Sequence, residues 1–308
     1  MVRRLFAALG LLLAISAGVA EPSVLLAAVG DVMVSRTVPG RLTAHGPAWA
    51  WAKIAPALAE GDLRFCNLEC AVTRGGVPVP KRYSFRADPG MTKRALAAGG
   101  FGIVSLANNH TYDFGRAGLG STLAFAEGAG LAAAGAGTGR ARAVAPRVVT
   151  CRGLKIAFVA YTRWTPEGYL PADDGPALAT LDEGTLAAEL RAAKRGADLL
   201  VVSLHWGQEY ARTPSAAQRR LAHAAIDAGA DLILGHHPHV AQPVEVYRGR
   251  PIVYSLGNCL FDNTDGRECT GLLVLVRLAR GRVTVARQVP LRVVDARAVP
   301  AARSPVKR

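Results

Sequence analysis

Short apolar, β-branched runs alternate along this chain with Ala-rich stretches whose apolar positions recur at helical spacing. The runs Val24 to Val29, Phe101 to Leu106, Lys155 to Ala160, Leu199 to Leu204, Leu232 to Leu234 and Ile252 to Leu256 predict strands. Trp49 to Glu60, Pro89 to Ala98, Ala117 to Ala129, Leu181 to Arg195 and Ser215 to Ala228 predict helices. Leu272 to Val293 reads as two strands turning at Ala279 to Gly281. Strands and helices in alternation predict a layered α/β fold. No internal repeat and no Pro/Gly linker divides the chain.

The two ends read differently. Arg3 and Arg4 precede an apolar run from Leu5 to Ile15 and the small residues SAGVA ending at Ala20, the layout of a secretory leader. Residues 1–20 are therefore expected to be a signal peptide, and the rest of the chain to be exported. An uncleaved anchor is the alternative, although the run falls short of the ~20 apolar residues that span a bilayer. Residues 296–308 are mostly Ala, Pro and basic residues, expected to form a loose tail. The folded unit would then be 21–295.

Composition narrows the classes. Across 308 residues, 50% are hydrophobic and 19% charged, which excludes a disordered chain. A net charge of +14 suits an anionic partner. The basic residues lie in no single stripe and no nucleic-acid-binding motif occurs, so nucleic acid is not expected. The five cysteines, an odd number, include no CxxC pair, and buried free thiols are the expectation. Cys259 and Cys269 are the pair to test for a disulfide, because the turn-rich DNTDG lies between them.

The informative feature is the polar group that follows five of the apolar runs. Gly30-Asp31, Glu69, Asn108-Asn109-His110, His205-Trp206-Gly207 and Gly235-His236-His237-Pro238-His239 each stand just after an apolar run. Ligand sites of open α/β sheets gather at the carboxyl ends of strands, so these polar groups are expected to converge. Carboxylate, amide and imidazole together suit Mn, Fe or Zn. Two such ions ~3.5–4 Å apart can clamp a phosphoryl-type group and activate water. Singly, an Asp after a strand is usually a helix cap and an Asn a turn residue. His223 and His45 are read as ordinary helix and loop residues.

Rival signatures fail. GAGTGR around Gly135 lacks the third glycine of a dinucleotide loop and reads as a loop needing positive φ. There is no GxxxxGK[ST], GxSxG or HExxH.

GDVMVSR from Gly30, NLECAVT from Asn67, FRADP from Phe85, SLANNHTYDFG from Ser105, HWGQEY from His205, GHHPHVAQPVE from Gly235 and YSLGNCLFD from Tyr254 resemble the CapA-like capsule and poly-γ-glutamate biosynthesis family. That family is similar to the calcineurin-like metallophosphatases. The resemblance implies a four-layer αββα sandwich and one or two divalent ions (Mn, Fe or Zn). It implies that Asp31 binds the first metal, that Glu69 bridges, that Asn109, His205 and His237 serve the second, and that His239 returns to the first. His110 takes the place of the transition-state histidine, with Asp113 orienting it. Met33 stands where the wider phosphatase pattern has a histidine, and Glu69 replaces an Asp, so the first metal site is expected to be weakened. Arg36 and Arg86 are the candidates for holding an anionic substrate. Two functions are consistent with this reading. One is a hydrolase or transferase acting on an anionic polymer (poly-γ-glutamate or a capsule chain) or a phosphoester; the other is a non-catalytic polymer-binding accessory of a membrane synthesis or export complex.

Overall fold

The computed structural model describes residues 21–170, 174–262, 266–267 and 269–301. The leader expected at 1–20 and residues 302–308 of the expected tail lie outside the described residues.

The chain is a mixed α/β protein. One sheet has eight strands in the order Asn258–Leu260, Arg297–Pro300, Arg282–Val294, Thr270–Ala279, Ser23–Val32, Leu63–Leu68, Ile103–Ser105 and Ala132–Ala134. Its last four are parallel. Asn258–Leu260 also pairs in parallel with the end of Ser23–Val32. A second sheet has the order Val244–Tyr247, Arg250–Val253, Leu232–His236, Leu199–His205, Leu154–Thr162 and Arg147–Cys151, with its four inner strands parallel.

Strand alternation decides what each face meets, because successive side chains point to opposite sides. In Ser23–Val32, Val24, Leu26 and Ala28 join an apolar cluster with Ile156, Phe158, Val201, Leu232 and Leu234 of the second sheet. Ala27 and Val29 face the other way, into a cluster with Leu42, Leu58, Leu96 and Leu119. In the second sheet Ala157, Val159, Leu200, Val202 and Ile233 pack against Leu186, Leu190, Leu221 and Ala225. Those last four belong to helices Glu183–Lys194 and Ala216–Asp227. Strands covered on both faces must be apolar throughout, which is why the runs read as continuous in the sequence.

Most expected elements are present. Helices Pro89–Gly99 and Gly115–Gly128 match their predictions, the former capped by Asp88, which accepts from Met91 N. The C-terminal hairpin forms from Thr270–Ala279 and Arg282–Val294. Three expectations need correction. Trp49 to Glu60 is not one helix but a 3₁₀ turn, Pro47–Ala50, and a short helix, Ala55–Ala59; Pro56 lacks an N–H and blocks continuation. The strand at Ile252 stops at Val253, beyond which the chain crosses to the first sheet. Residues 296–301 are not loose, since Arg297–Pro300 pairs with Arg282–Val294 and supplies N–H and C=O partners to its edge. GAGTGR is a loop only at its glycine ends: Gly135 and Gly139, both at positive φ as expected, flank a short strand, Ala136–Thr138, that pairs with Pro176–Leu178.

The crossing is tight. A Cβ on Gly30 would stand 1.7 Å from Gly257 O, and Gly257 itself has φ 60°. Only glycines let these backbones approach. The close approach lets Asp31 N donate to Gly257 O at 2.8 Å, which fixes Asp31 at the sheet's carboxyl end.

Candidate metal centre

Asp31 is the penultimate residue of its strand, Glu69 stands just beyond Leu63–Leu68, and His205 and His236 each end a strand of the second sheet. The carboxyl ends of both sheets meet here. Asn67 Nδ2 donates to Asp31 Oδ1 at 2.9 Å and to Glu69 Oε2 at 3.3 Å, and lies 3.5 Å from His205 Nδ1. Asn108 Nδ2 donates to Asn67 Oδ1 at 3.1 Å, fixing which end of that amide faces the carboxylates.

Asn108 also builds the turn that carries the next two residues. Its Oδ1 accepts from His110 N, Thr111 N and Thr111 Oγ1, all at 2.9–3.0 Å. Such Asx geometry replaces a backbone turn. Asn109 Oδ1 thereby comes within 2.9 Å of His205 Nε2, which lies 3.1 Å from His237 Nδ1 and 4.0 Å from Glu69 Oε1. Glu69, Asn109, His205 and His237 are therefore together. Asp31, Glu69 and His239 form a second group, with donor atoms within 4.8 Å of one another. His239 Nδ1 is held at 2.9 Å from Asn258 Oδ1.

His237 and His239 adopt φ of 95° and 58°, conformations that cost ~1–3 kcal/mol each in a non-glycine residue. Pro238 between them prevents a regular element, so both rings turn toward the strand ends. Both of these strained residues lie where the donors converge.

Charge and polar satisfaction favour a cation here. Buried polar atoms are normally paired, yet Asp31 Oδ2, Glu69 Oε1 and both ring nitrogens of His236 have no hydrogen-bond partner among the described residues. His236 Nδ1 is 3.3 Å from Asp31 Oδ1. Burial drives Glu69 well above the usual carboxylate range, with the Asp31 charge adding to it. Burial would raise Asp31 too, but His236 and His239 hold it well below the usual range. Burial opposes the charged form of His239, yet Glu69 and Asp31 raise it to about 10. Burial and His239 push His237 down to about 3, and burial with His237 pushes His205 well below its usual value. A divalent ion would supply the positive charge that these buried carboxylates otherwise find only in the neighbouring histidines. The oxygen and imidazole donors fit such an ion.

His110 stands beside these groups. Its Nδ1 is 2.8 Å from Asp113 Oδ2, and its ring stacks on Phe85 at 4.0 Å. Burial lowers His110 from its usual value although Asp113 opposes the shift. Asp113 is fully engaged: Oδ2 also accepts from Phe85 N at 2.6 Å, and Oδ1 accepts from Lys81 Nζ at 2.8 Å. Lys81 Nζ further donates to Asn109 O at 2.9 Å and meets Glu167 Oε2 at 3.1 Å.

The two arginines part company. Arg36 lines a cavity with Tyr83, His110, His239 and Asn258, its Nε 3.2 Å from Asp262 Oδ1. Arg86 does not face that cavity. Strand alternation buries Phe85 and Ala87 and leaves Arg86 exposed, donating to Gly76 O and stacked 4.0 Å from the Phe114 ring. Met33 is fully buried in the apolar cluster beside the helices, so it offers nothing to the site. His223 is held by Glu245 at 2.6 Å and His45 stacks on Trp49, the ordinary roles expected of them. Cys66, Cys70 and Cys259 are buried free thiols, so no Cys259–Cys269 bridge forms. The sequence pattern gives no sign that Lys81, Asn67 and Asn258 belong to the centre; Asn108 and His236 are visible in the polar runs after strands but carry no assigned role there.

A crystal structure of a hypothetical protein from Thermus thermophilus superposes with a TM-score of 0.54 at 16% identity, covering 87% of this chain and 99% of that one, which is a likeness of fold. The capsule biosynthesis protein CapA of Bacillus anthracis is 32% identical over 86% of this chain, which spans 66% of that relative's length. The PGA biosynthesis protein CapA of Bacillus subtilis is 31% identical over 91% of this chain and 74% of its own length. A probable polyglutamine synthesis accessory protein of Mycobacterium tuberculosis is 30% identical over 76% of this chain and 66% of its own. Residues 25–263 match the family described as bacterial capsule synthesis protein PGA_cap, and the chain belongs to that family.

Proposed function

We propose that this chain is an exported, metal-dependent hydrolase or transferase of a poly-γ-glutamate or capsule system, folded as a four-layer αββα sandwich of the metallo-dependent phosphatase type. The three apolar clusters, one between the sheets and one outside each, support that architecture. The leader-like segment before Ala20 supports export. The names of the Bacillus relatives support an anionic polymer as substrate.

Asp31, Glu69 and His239 would hold one ion, and Asn109, His205 and His237, with Glu69 between, a second. Bound divalent ions supply a Lewis acid for a phosphoryl or acyl oxygen and a water acidic enough to attack at neutral pH. The chain's own residues do the rest. Arg36 binds an anionic group of the substrate in the adjoining cavity. Asp113 fixes the His110 ring through Nδ1, leaving Nε2 as the nitrogen free to exchange a proton with the departing oxygen. Phe85 covers one face of that ring and excludes water from it.

The observation that carries chemistry over simple binding is the His110–Asp113 pair, buried beside the donor groups at 2.8 Å. A polymer-binding accessory needs no oriented imidazole. His110→Ala is expected to keep metal content and fold while lowering turnover of a phosphoester or γ-glutamyl substrate by ~10²–10⁴. Asp31→Ala and His237→Ala are expected to lose metal instead, as measured by elemental analysis. Protein that carries no ion after growth with Mn, Fe and Zn, and gains no thermal stability when they are added, would refute the metal assignment. Wild-type polymer production by His110→Ala beside its loss in Asn109→Ala would leave the accessory role and remove the enzyme.

A further inference from the structure

The segment Trp206–Tyr210 arches over the histidine turn. Trp206 N donates to His236 O at 3.1 Å and Tyr210 N to Pro238 O at 2.8 Å, so two backbone bonds straddle His237. Gly207 and Tyr210 have φ of 85° and 61°, which folds the segment back on itself. Between the two bonds stands Glu209. It is exposed, yet a carboxylate oxygen of Glu209 and ring nitrogens of His237 and His239 lie within 4.8 Å of one another. Glu209 also lines both cavities that reach the centre. One contains Arg36, His110 and His239; the other, about 500 Å³, contains Asn109, Trp164 and His237.

Resting on the metal-centre reading above, we propose that Glu209 is an additional metal ligand that closes the solvent side of the centre and gives way to an anionic substrate. The donor count asks for it. Asp31, Glu69 and His239 offer three donors, with the unpartnered His236 ring 3.3 Å from Asp31 on the buried side, and Glu209 groups with His237 and His239, one ring of each proposed site, on the other. Divalent ions of this ligand class take four or more. Asp31, Glu69, His205, His237 and His239 are buried and approach from the strand ends; Glu209 alone comes from the solvent side. An exposed carboxylate can swing back into water at little desolvation cost, which a buried one cannot. It also presents the charge and oxygen donors of a phosphate or substrate carboxylate, so the two compete for the same coordination positions.

The test uses Glu209→Ala and Glu209→Gln, with Glu183→Gln as a control at an exposed carboxylate that pairs with Arg163. Stoichiometry and affinity for Mn²⁺ and Zn²⁺ are measured by calorimetry and by thermal shift, and inorganic phosphate is then titrated into the loaded proteins. Both Glu209 variants should weaken one of the two ions by at least about tenfold, the size of loss seen even for outer partners of metal ligands, while Glu183→Gln matches wild type. Phosphate should bind the loaded Glu209→Ala protein more tightly than wild type. Unchanged affinity for both ions in Glu209→Ala would overturn the ligand assignment and leave the metal centre standing. Weaker metal binding with no gain in phosphate affinity would overturn the exchange. Wild type that binds no ion would overturn both readings.

Discussion

Lys81 offers the sharpest energetic test, because it places a buried positive charge where the sequence shows only a loop residue. Its side chain is 5% exposed and that of Asp113 is 0%, whereas Glu167, the other carboxylate it meets, is 58% exposed. Lys81→Met keeps the length and the apolar stem but strips the charge from both pairs. Removing one partner of a buried ion pair costs ~3–5 kcal/mol, because the other charge is left uncompensated. Asp113 still accepts from Phe85 N and lies against His110 Nδ1, so the low end of that range, about 3 kcal/mol, is expected. The Glu167 arm is half in water and should contribute under ~1 kcal/mol. The assay is reversible urea unfolding of Lys81→Met, Asp113→Asn, Glu167→Gln and the two double variants that include Lys81→Met. The Lys81–Asp113 coupling should be about 2 kcal/mol and insensitive to salt; the Lys81–Glu167 coupling should be small and screened. A Lys81–Asp113 coupling below ~0.5 kcal/mol, or a Lys81→Met protein as stable as wild type, would refute the reasoning.

Gly30→Ala should fold poorly or lose several kcal/mol, since its Cβ would stand 1.7 Å from Gly257 O; if it folds, metal content should fall with the displacement of Asp31. Arg36→Ala should weaken binding of phosphate or a polyanion, and its residual affinity should depend less on ionic strength than that of wild type over the range where the Debye length falls below ~10 Å. At a pH of about 8, just under the usual thiol range, a thiol reagent should label Cys151, which is partly exposed, well before Cys66, Cys70 and Cys259, with the Cys70 thiol pushed up to about 12 by burial; rapid labelling of Cys70 in folded protein would contradict its packing.

The layered α/β class was legible because buried parallel strands leave a plain trace: every residue of Leu199 to Leu204 is apolar or small and buried. Which face each residue took was not legible. Val201 and Val202 are the same residue type, yet one packs between the sheets and the other against the helices. Only the registry of the second sheet against the first decides between them. The loss of the helix at Trp49 had a visible cause in Pro56. The strand at Arg297 had none, because Arg-Ala-Val-Pro is too short to show an alternation and gains its order only from the open edge of Arg282–Val294.

The site divides along the same line. Residues that end strands were legible, since a polar group directly after an apolar run is a local signal, and Asp31, Glu69, Asn109, His205, His237 and His239 do converge. Residues that act through a long-range partner were not. Asn67 is one position inside the strand end and reads as a strand residue, but its amide separates two carboxylates that arrive 36 residues and two residues away. Lys81 reads as a loop cation until Asp113, 32 residues on, buries it. Arg86 shows the converse: at a motif position, the two-residue period of an extended segment turns Phe85 toward the cavity that Arg36 lines and leaves Arg86 exposed. A side chain's chemistry can be proposed from its type and spacing, but whether it is buried against a countercharge depends on contacts that no local pattern encodes, and at this centre Asn67 and Lys81 are of that kind.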